Sequence, residues 1–292
     1  MGTADLVPGV SGGTIALVLG IYHRLVASIR EASSALGSLG RGDLAGAREH
    51  FGKVEWGFLV PLLVGVLLAI VTLASFLDHQ SEDRPTVLAG VFLGLVLGSV
   101  AIAWRLIKKT NAIHVAIGSL VGLGLFIVLG LGEGLAIGDP SPVALVGAGA
   151  LAICAMILPG ISGSLILLIL GMYSAVLSAV TDRDFASVGL VAIGAVVGLA
   201  LFSQMLNWGL NNYHDLLIAV LVGLMAGSTR VLWPWPNGVD SVTLERPGED
   251  WPVVLVSALL GLVAVFLISR LAPAEAATEL APSGALQSPD GG

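Results

Sequence analysis

Long apolar stretches separated by short polar ones dominate the chain. Predominantly apolar runs cover residues 56–77, 86–104, 112–131, 188–207, 216–229 and 251–269. A bilayer core takes about 20 apolar residues per helical crossing, so each run predicts a transmembrane helix, the fifth a short one. Two further apolar segments, 7–29 and 143–180, are interrupted by Pro8-Gly9-Val10-Ser11-Gly12-Gly13 and by Pro159-Gly160-Ile161-Ser162-Gly163-Ser164. Proline removes a helical N–H and clashes with the preceding turn, so neither segment is expected to run as one straight helix. From residue 272 the sequence turns to Ala, Pro, Glu, Ser and Gly without periodicity, which predicts a disordered tail over 272–292.

Basic residues in the loops predict the orientation. Residues 24–53 carry Arg24, Arg30, Arg41, Arg48 and Lys53, the next loop carries Arg84, the next Arg105, Lys108 and Lys109, and residues 132–142 carry none. The first and third of these loops are therefore expected in the cytoplasm. With Arg270 at the cytoplasmic end of the last helix, the tail is cytoplasmic and residues 140–142 and 182–184 both lie outside. Residues 143–180 then enter and leave on the same side, either as two helices or as a re-entrant hairpin with the Pro-Gly break at its tip.

The two breaks are copies of one another. PGVSGGTIALVLGIY at 8–22 and PGISGSLILLILGMY at 159–173 agree at nine of fifteen positions, and GLVLGSVAIAW at 94–104 and GLMAGSTRVLW at 223–233 agree at five of eleven. The offsets of these two matches, 151 and 129, differ by the length of a long loop after Arg30 that has a much shorter counterpart after Val180. The chain therefore reads as an all-α polytopic membrane protein built as an inverted repeat, each half a re-entrant hairpin plus three transmembrane helices. A single transmembrane domain is expected over 1–271, with repeat one at about 1–132 and repeat two at about 143–271. Paired broken segments in inverted halves point to a transporter whose site lies near the midplane. An apolar run, 143–158, precedes the second break, but only residues 1–7 precede the first. Either the first hairpin is half built or an N-terminal helix precedes Met1, and the repeat favours the second.

Composition narrows the function. Lys+Arg 13 and Asp+Glu 20 in 292 residues, 56% hydrophobic residues and a mean hydropathy of +0.96 exclude an ordinary soluble enzyme. The net charge of -7 argues against nucleic-acid binding, which calls for a basic stripe. Cys154 is the sole cysteine, and His23, His50, His79, His114 and His214 are scattered without metal-ligand spacing, so no metal and no cofactor are expected. No Ser-His-Asp order, carboxylate pair or His-Glu-x-x-His run falls within the spans, and the chain does not read as an enzyme. Glycine, at 39 residues, is about twice its usual share, which in a membrane protein means closely packed or broken helices.

Small residues and hydroxyls at a helix start expose backbone N–H groups at the positive end of the helix dipole. Ser11, Gly12, Gly13 and Thr14, and Ser162, Gly163 and Ser164, are therefore candidate anion cradles, the alternative being helix caps with glycines for packing; the resemblance given below implies a phosphate there. No Gly-Lys-Ser/Thr follows, which excludes a Walker-type loop. Charges inside apolar segments are costly and usually functional, and Asp5 and Arg230 stand out. Arg230 either clamps an anionic head group with its planar fork or snorkels to the interface beside Trp233 and Trp235. Asp5 is a candidate proton carrier, an arginine partner or a solvated cap. Tyr22 and Tyr173 occupy equivalent places and read as interface anchors; His23 and Arg24 read as interfacial. The six tryptophans, mostly at helix ends, form an aromatic belt.

Ala4-Asp5-Leu6-Val7-Pro8-Gly9-Val10-Ser11-Gly12-Gly13-Thr14, with Gly20-Ile21-Tyr22 after it, resembles the bacterial polyprenyl-phosphate transporter family. Leu158-Pro159-Gly160-Ile161-Ser162-Gly163-Ser164, Gly223-Leu224-Met225-Ala226-Gly227-Ser228 and Leu232-Trp233-Pro234 look like its other signatures, and the resemblance extends to about Leu271. It implies a multi-pass protein of the bacterial plasma membrane that returns undecaprenyl or decaprenyl phosphate from the outer to the cytoplasmic leaflet for reuse in cell-wall polymers. On that reading the partners are the lipid phosphate, the bilayer and a coupling proton or cation. The two hairpin tips meet near the midplane around the phosphate, Arg230 offsets its charge, Asp5 couples transport to protons, and one repeat rocks against the other. Family members usually carry extra residues before the position of Met1. Two readings from other classes stay open: a transporter or channel for a small inorganic anion, and a non-transporting membrane scaffold.

Overall fold

In the computed structural model, residues 1–5, 11–132, 137, 140–238 and 243–271 are described. Pro8, Gly9 and Val10 of the first break, and the expected tail at 272–292, lie outside the described residues. Secondary structure among the described residues is entirely helical. The helices are α1 (Gly2–Asp5), α2 (Gly12–Val18), α3 (Tyr22–Gly40), α4 (Leu44–Lys53), α5 (Trp56–Asp83), α6 (Pro85–Trp104), α7 (Ala112–Leu129), α8 (Pro142–Ile157), α9 (Gly163–Ile169), α10 (Tyr173–Thr181), α11 (Phe185–Asn212), α12 (His214–Ser228) and α13 (Trp251–Leu271). Five of them, α5, α6, α7, α11 and α13, are long and apolar enough to cross a bilayer. A sixth crossing is counted if α9 and α10, bent by 115° at the break between them, form one span. α8 and α12 are shorter apolar helices.

Lipid cannot drive apolar faces together as water does, so association rests on close packing, and small residues at the contacts make that closeness available. Three helix pairs are built this way. On α7 a Cβ at Gly122 would lie 2.9 Å from the Gly223 carbonyl oxygen of α12, and one at Gly118 would lie 3.0 Å from that of Ala219. Gly94 and Gly261 place the backbones of α6 and α13 in direct contact at Ala258 and Val91, and Gly149 and Gly194 do the same for α8 and α11 at Val191 and Val146. The main core is formed around Ala16, Leu17, Tyr22, Ile157, Leu206, Leu221 and Met225, where α2, the start of α3, the end of α8, α11 and α12 converge. Leu63, Leu67, Leu68 and Val71 of α5 stay exposed, as expected of a helix turned toward lipid.

Two departures from the sequence expectations stand out. The long loop after Arg30 is instead helical: α3 continues to Gly40 and α4 follows after a short turn capped by Asp43, whose Oδ1 accepts the Gly46 N–H at 2.9 Å. Its dense charges hide an apolar stripe at helical spacing, the pattern of an amphipathic helix. The second departure is an additional pair of breaks. Gly20 and Gly171 take φ of +71° and +67°, the left-handed region open to glycine. Just beyond them, Ile21 and Met172 N–H groups reach back five residues to the carbonyls of Ala16 and Leu167, at 3.0 and 2.8 Å. That is the helix-ending pattern expected of a glycine just past the last turn, and it makes α2 and α9 short half-helices of seven residues each.

Candidate functional site at the two chain breaks

Ser11 stands at the N-cap of α2 with extended backbone (φ -128°, ψ 140°), and its Oγ accepts the Gly13 N–H at 3.0 Å. The same hydroxyl donates to the Met156 carbonyl at 3.3 Å, in the last turn of α8. Gly13 makes this approach possible, since a Cβ there would lie 2.8 Å from the Ile157 carbonyl oxygen and 3.4 Å from the Pro159 nitrogen. At the start of α3 the buried Tyr22 hydroxyl donates to that same Ile157 carbonyl at 3.1 Å. The two breaks, 145 residues apart in sequence at Ser11 and Met156, are thus held against each other by backbone carbonyls that the end of α8 leaves without helical partners.

The positive end of α2 is already occupied by one of the chain's own carboxyl groups. Asp5 Oδ1 accepts the Gly12 N–H at 2.6 Å, Ser11 Oγ takes that of Gly13, and the Ser11 carbonyl takes that of Thr14 at 2.9 Å. Thr14 itself is fully buried, with no hydrogen-bond partner for its hydroxyl among the described residues.

The start of α9 differs. Ser162 has the same extended backbone (φ -98°, ψ 140°) but caps no N–H; its Oγ instead lies 2.8 Å from that of Ser164. Hydrogen bonds to the Gly163, Ser164 and Leu165 N–H groups are absent among the described residues. Ser164 is exposed, Ser162 half-buried, and Gly163 and Leu165 buried, so two hydroxyls and three amide donors gather at one helix start that opens on the Ser164 side. Gly163 packs on Ala152 and on the Met156 side chain, the residue whose carbonyl takes Ser11, and Gly160, at φ +86°, lies against the Met225 backbone. Both α8 and α12 therefore back this second break.

Arg230, two residues past the end of α12, has its guanidinium carbon 4.9 Å from the centre of the Phe126 ring. The group also lies against Gly130, where a Cβ would come 2.5 Å from the guanidinium carbon. It thus sits at the C-terminal end of α7, where the helix dipole favours a cation. Its neighbour Val231 packs with Leu129 and with Leu165 of α9, so the residue flanks the second break. Of the sequence-predicted residues, Asp5, Ser11, Gly12 and Gly13 form one connected group. Ser162, Gly163 and Ser164 form a second, joined to the first through Met156, and Arg230 stands beside the second.

Tyr22 is not an interface anchor: it is 2% exposed and part of the joint, whereas Tyr173 is 40% exposed. The anchoring expectation fails because a phenol can also satisfy an internal carbonyl, and only the fold shows which. Arg24 does lie at an exposed surface, paired with Glu55 and over the Phe58 ring. Among the described residues no group of three or more His, Cys, Asp or Glu side chains could hold a metal.

Several helices long and apolar enough to cross a bilayer, meeting at small-residue contacts, define a polytopic helical membrane protein. The chain belongs to the undecaprenyl phosphate translocase-like family, which matches residues 1–251. It is similar to a polyprenyl-phosphate transporter of Vibrio cholerae, 36% identical over 261 residues that cover 87% of this chain and 81% of the relative. It is also similar to a polyprenyl-phosphate transporter of Staphylococcus aureus, 29% identical over 288 residues that cover 93% of each chain. No solved structure matches.

Proposed function

We propose that this protein transports polyprenyl phosphate, undecaprenyl or decaprenyl, from the outer to the cytoplasmic leaflet of the bacterial plasma membrane for reuse in cell-wall polymer synthesis. In this reading the chain is an inverted repeat, α2 and α9 are arms of its two hairpins, and the C-terminus is cytoplasmic. The phosphate head is held at the paired breaks while the tail remains in lipid. The single observation that carries the reading is the contrast between the two half-helix starts. At α2 a carboxylate, Asp5, takes the Gly12 N–H. At α9 the N–H groups of Gly163, Ser164 and Leu165 are unpaired among the described residues and the Ser162 and Ser164 hydroxyls stand beside them. A segment that binds a carboxylate in one copy supports an anion at the other.

The lipid phosphate is received by Ser162, Gly163 and Ser164, with Arg230 offsetting its charge from the flank. Ser11, Gly12, Gly13 and Thr14 take it over when Asp5 withdraws. Protonation of Asp5 weakens its charge-assisted bond to Gly12 and releases that donor, which couples transport to a proton.

Binding of purified protein to long-chain polyprenyl phosphate, to the unphosphorylated alcohol and to free phosphate tests this. We expect tight binding of the lipid phosphate alone, weakened about tenfold or more by Ser162→Ala/Ser164→Ala, since a hydrogen bond to a charged group is worth roughly 1.5–3 kcal/mol. Ser11→Ala/Ser162→Ala should bind less well than Ser162→Ala alone. Equal binding of free phosphate would indicate an inorganic-anion carrier, and no binding would make the breaks helix caps in a scaffold. Asp5→Asn should flatten the pH dependence of transport; an unchanged profile would remove Asp5 from the mechanism.

A further inference from the structure

A concave apolar surface lies away from the breaks, between α3 and α4. The two helices enclose a groove of about 420 Å³. On α3, Ala32, Ala35, Leu36 and Leu39 follow helical spacing and form one wall. The other wall is Phe51 with Ala47 and Arg48 of α4, and Trp56 at the start of α5 closes one end. The alanines provide the space, while the large side chains stay open to the surroundings: Leu36 is 58% exposed, Leu39 54% and Phe51 57%. The aromatic end is rigid. Trp56 Nε1 donates to the Phe51 carbonyl at 3.0 Å, and the two rings lie 4.6 Å apart.

Charge separates this groove from the other exposed apolar surfaces. Arg24 pairs with Glu55, Arg30 with Glu31 and Lys53 with Glu49, and His50 also contacts Glu31. Arg48, whose aliphatic stem lines the groove, makes no ion pair or hydrogen bond with its guanidinium among the described residues. The exposed apolar side of α5, with Leu63, Leu67 and Leu68, carries no lysine or arginine. A single hydrocarbon chain ending in an anionic group matches a concave apolar channel with one uncommitted guanidinium, whose planar fork suits phosphate. We propose that the α3–α4 groove is a second docking site for polyprenyl phosphate, with the tail between Leu36, Leu39 and Phe51 and the phosphate at Arg48. The site is a station before or after the paired breaks, and it rests on the function proposed above.

The experiment is photo-crosslinking of a diazirine-bearing polyprenyl phosphate to the purified full chain in nanodiscs, with the labelled positions mapped by mass spectrometry. We expect saturable labelling within residues 32–56, displaced by unlabelled polyprenyl phosphate and not by the same excess of phosphatidylglycerol. Ala47→Trp, which fills the groove from an exposed helix, should abolish it, and Arg48→Gln should reduce it about threefold or more while labelling beside Ser162 persists. Equal displacement by phosphatidylglycerol, or labelling of α5 as strong as that of the groove, would assign the groove to bulk lipid and overturn the proposal. Labelling unchanged in both variants would also overturn it. Absence of saturable labelling anywhere, Ser162 included, would instead be failure of the transport reading.

Discussion

A methyl group added at Gly13 tests the joint between the two breaks most directly. The Cβ of Gly13→Ala would lie 2.8 Å from the Ile157 carbonyl oxygen, 3.1 Å from Ser11 Oγ and 3.4 Å from the Pro159 nitrogen. Carbon contacts are most favourable at about 3.5–4.0 Å, so the carbonyl must retreat by more than half an ångström. It cannot do so freely, because it also accepts the buried Tyr22 hydroxyl. Overpacking of this kind costs about 1–3 kcal/mol, and alanine's better helix propensity returns at most about 1 kcal/mol. A net loss of about 1–2 kcal/mol is expected, a fall of a few degrees in the thermal midpoint of the detergent-solubilised protein. Gly124→Ala on α7 is the control, since a Cβ there meets nothing within 4 Å. It should leave the midpoint unchanged or raise it. A Gly13→Ala protein as stable as the control variant and as active as the wild type would refute the close approach of α2 to the end of α8.

Two further outcomes follow from the same structure. Tyr22→Phe removes the donor to the Ile157 carbonyl and leaves that buried acceptor unpaired, at a cost of about 1–3 kcal/mol; thermal unfolding of the variant checks it, and a midpoint equal to wild type would show the bond to be unimportant. At the other end of the helices, Asp250 accepts from the Thr86 hydroxyl at 2.6 Å and from Trp235 Nε1 at 2.9 Å, and these bonds hold its carboxyl below the ordinary value of 3.8. Because the folded pKa is depressed, this contribution to stability is complete above about pH 4. It is lost as pH falls through the lowered folded pKa. Thr86→Val should move that loss to higher pH in thermal unfolding followed between about pH 2.5 and 5, and an identical acid limb would separate Asp250 from stability.

The crossing helices were legible because bilayer thickness imposes a length that composition alone can meet. α5 and α11 nonetheless extend past their apolar runs, to Asp83 and back to Phe185, because a helix does not end where the membrane does. The interruption between α8 and α9 was legible from Pro159 and Gly160. The turns at Gly20 and Gly171 were not, since they fall within apolar sequence and glycine there reads equally as packing. The α3–α4 hairpin was hidden by its charges. At the site, sequence identified the hydroxyls and glycines but not their partners. That Asp5 reaches Gly12 and that Tyr22 reaches Ile157 are contacts between residues 7 and 135 positions apart. Neither spacing carries a periodic signature, and the burial of Tyr22 is decided by where α8 ends.

The glycine contacts also bear on how such a protein can move. α6 lies backbone to backbone on α13, and α7 on α12, so each pair takes one helix from residues 1–132 and one from 143–271. A contact made at glycine, backbone on backbone, leaves little room for one helix to slide along the other. The frame therefore behaves as a clamped truss, and the freedom to change shape falls to the short segments hung between its members, α2 and α9. For the transport proposed above, labels on these two small arms, read against labels on α6 and α13, are therefore the ones that report which parts of the protein move.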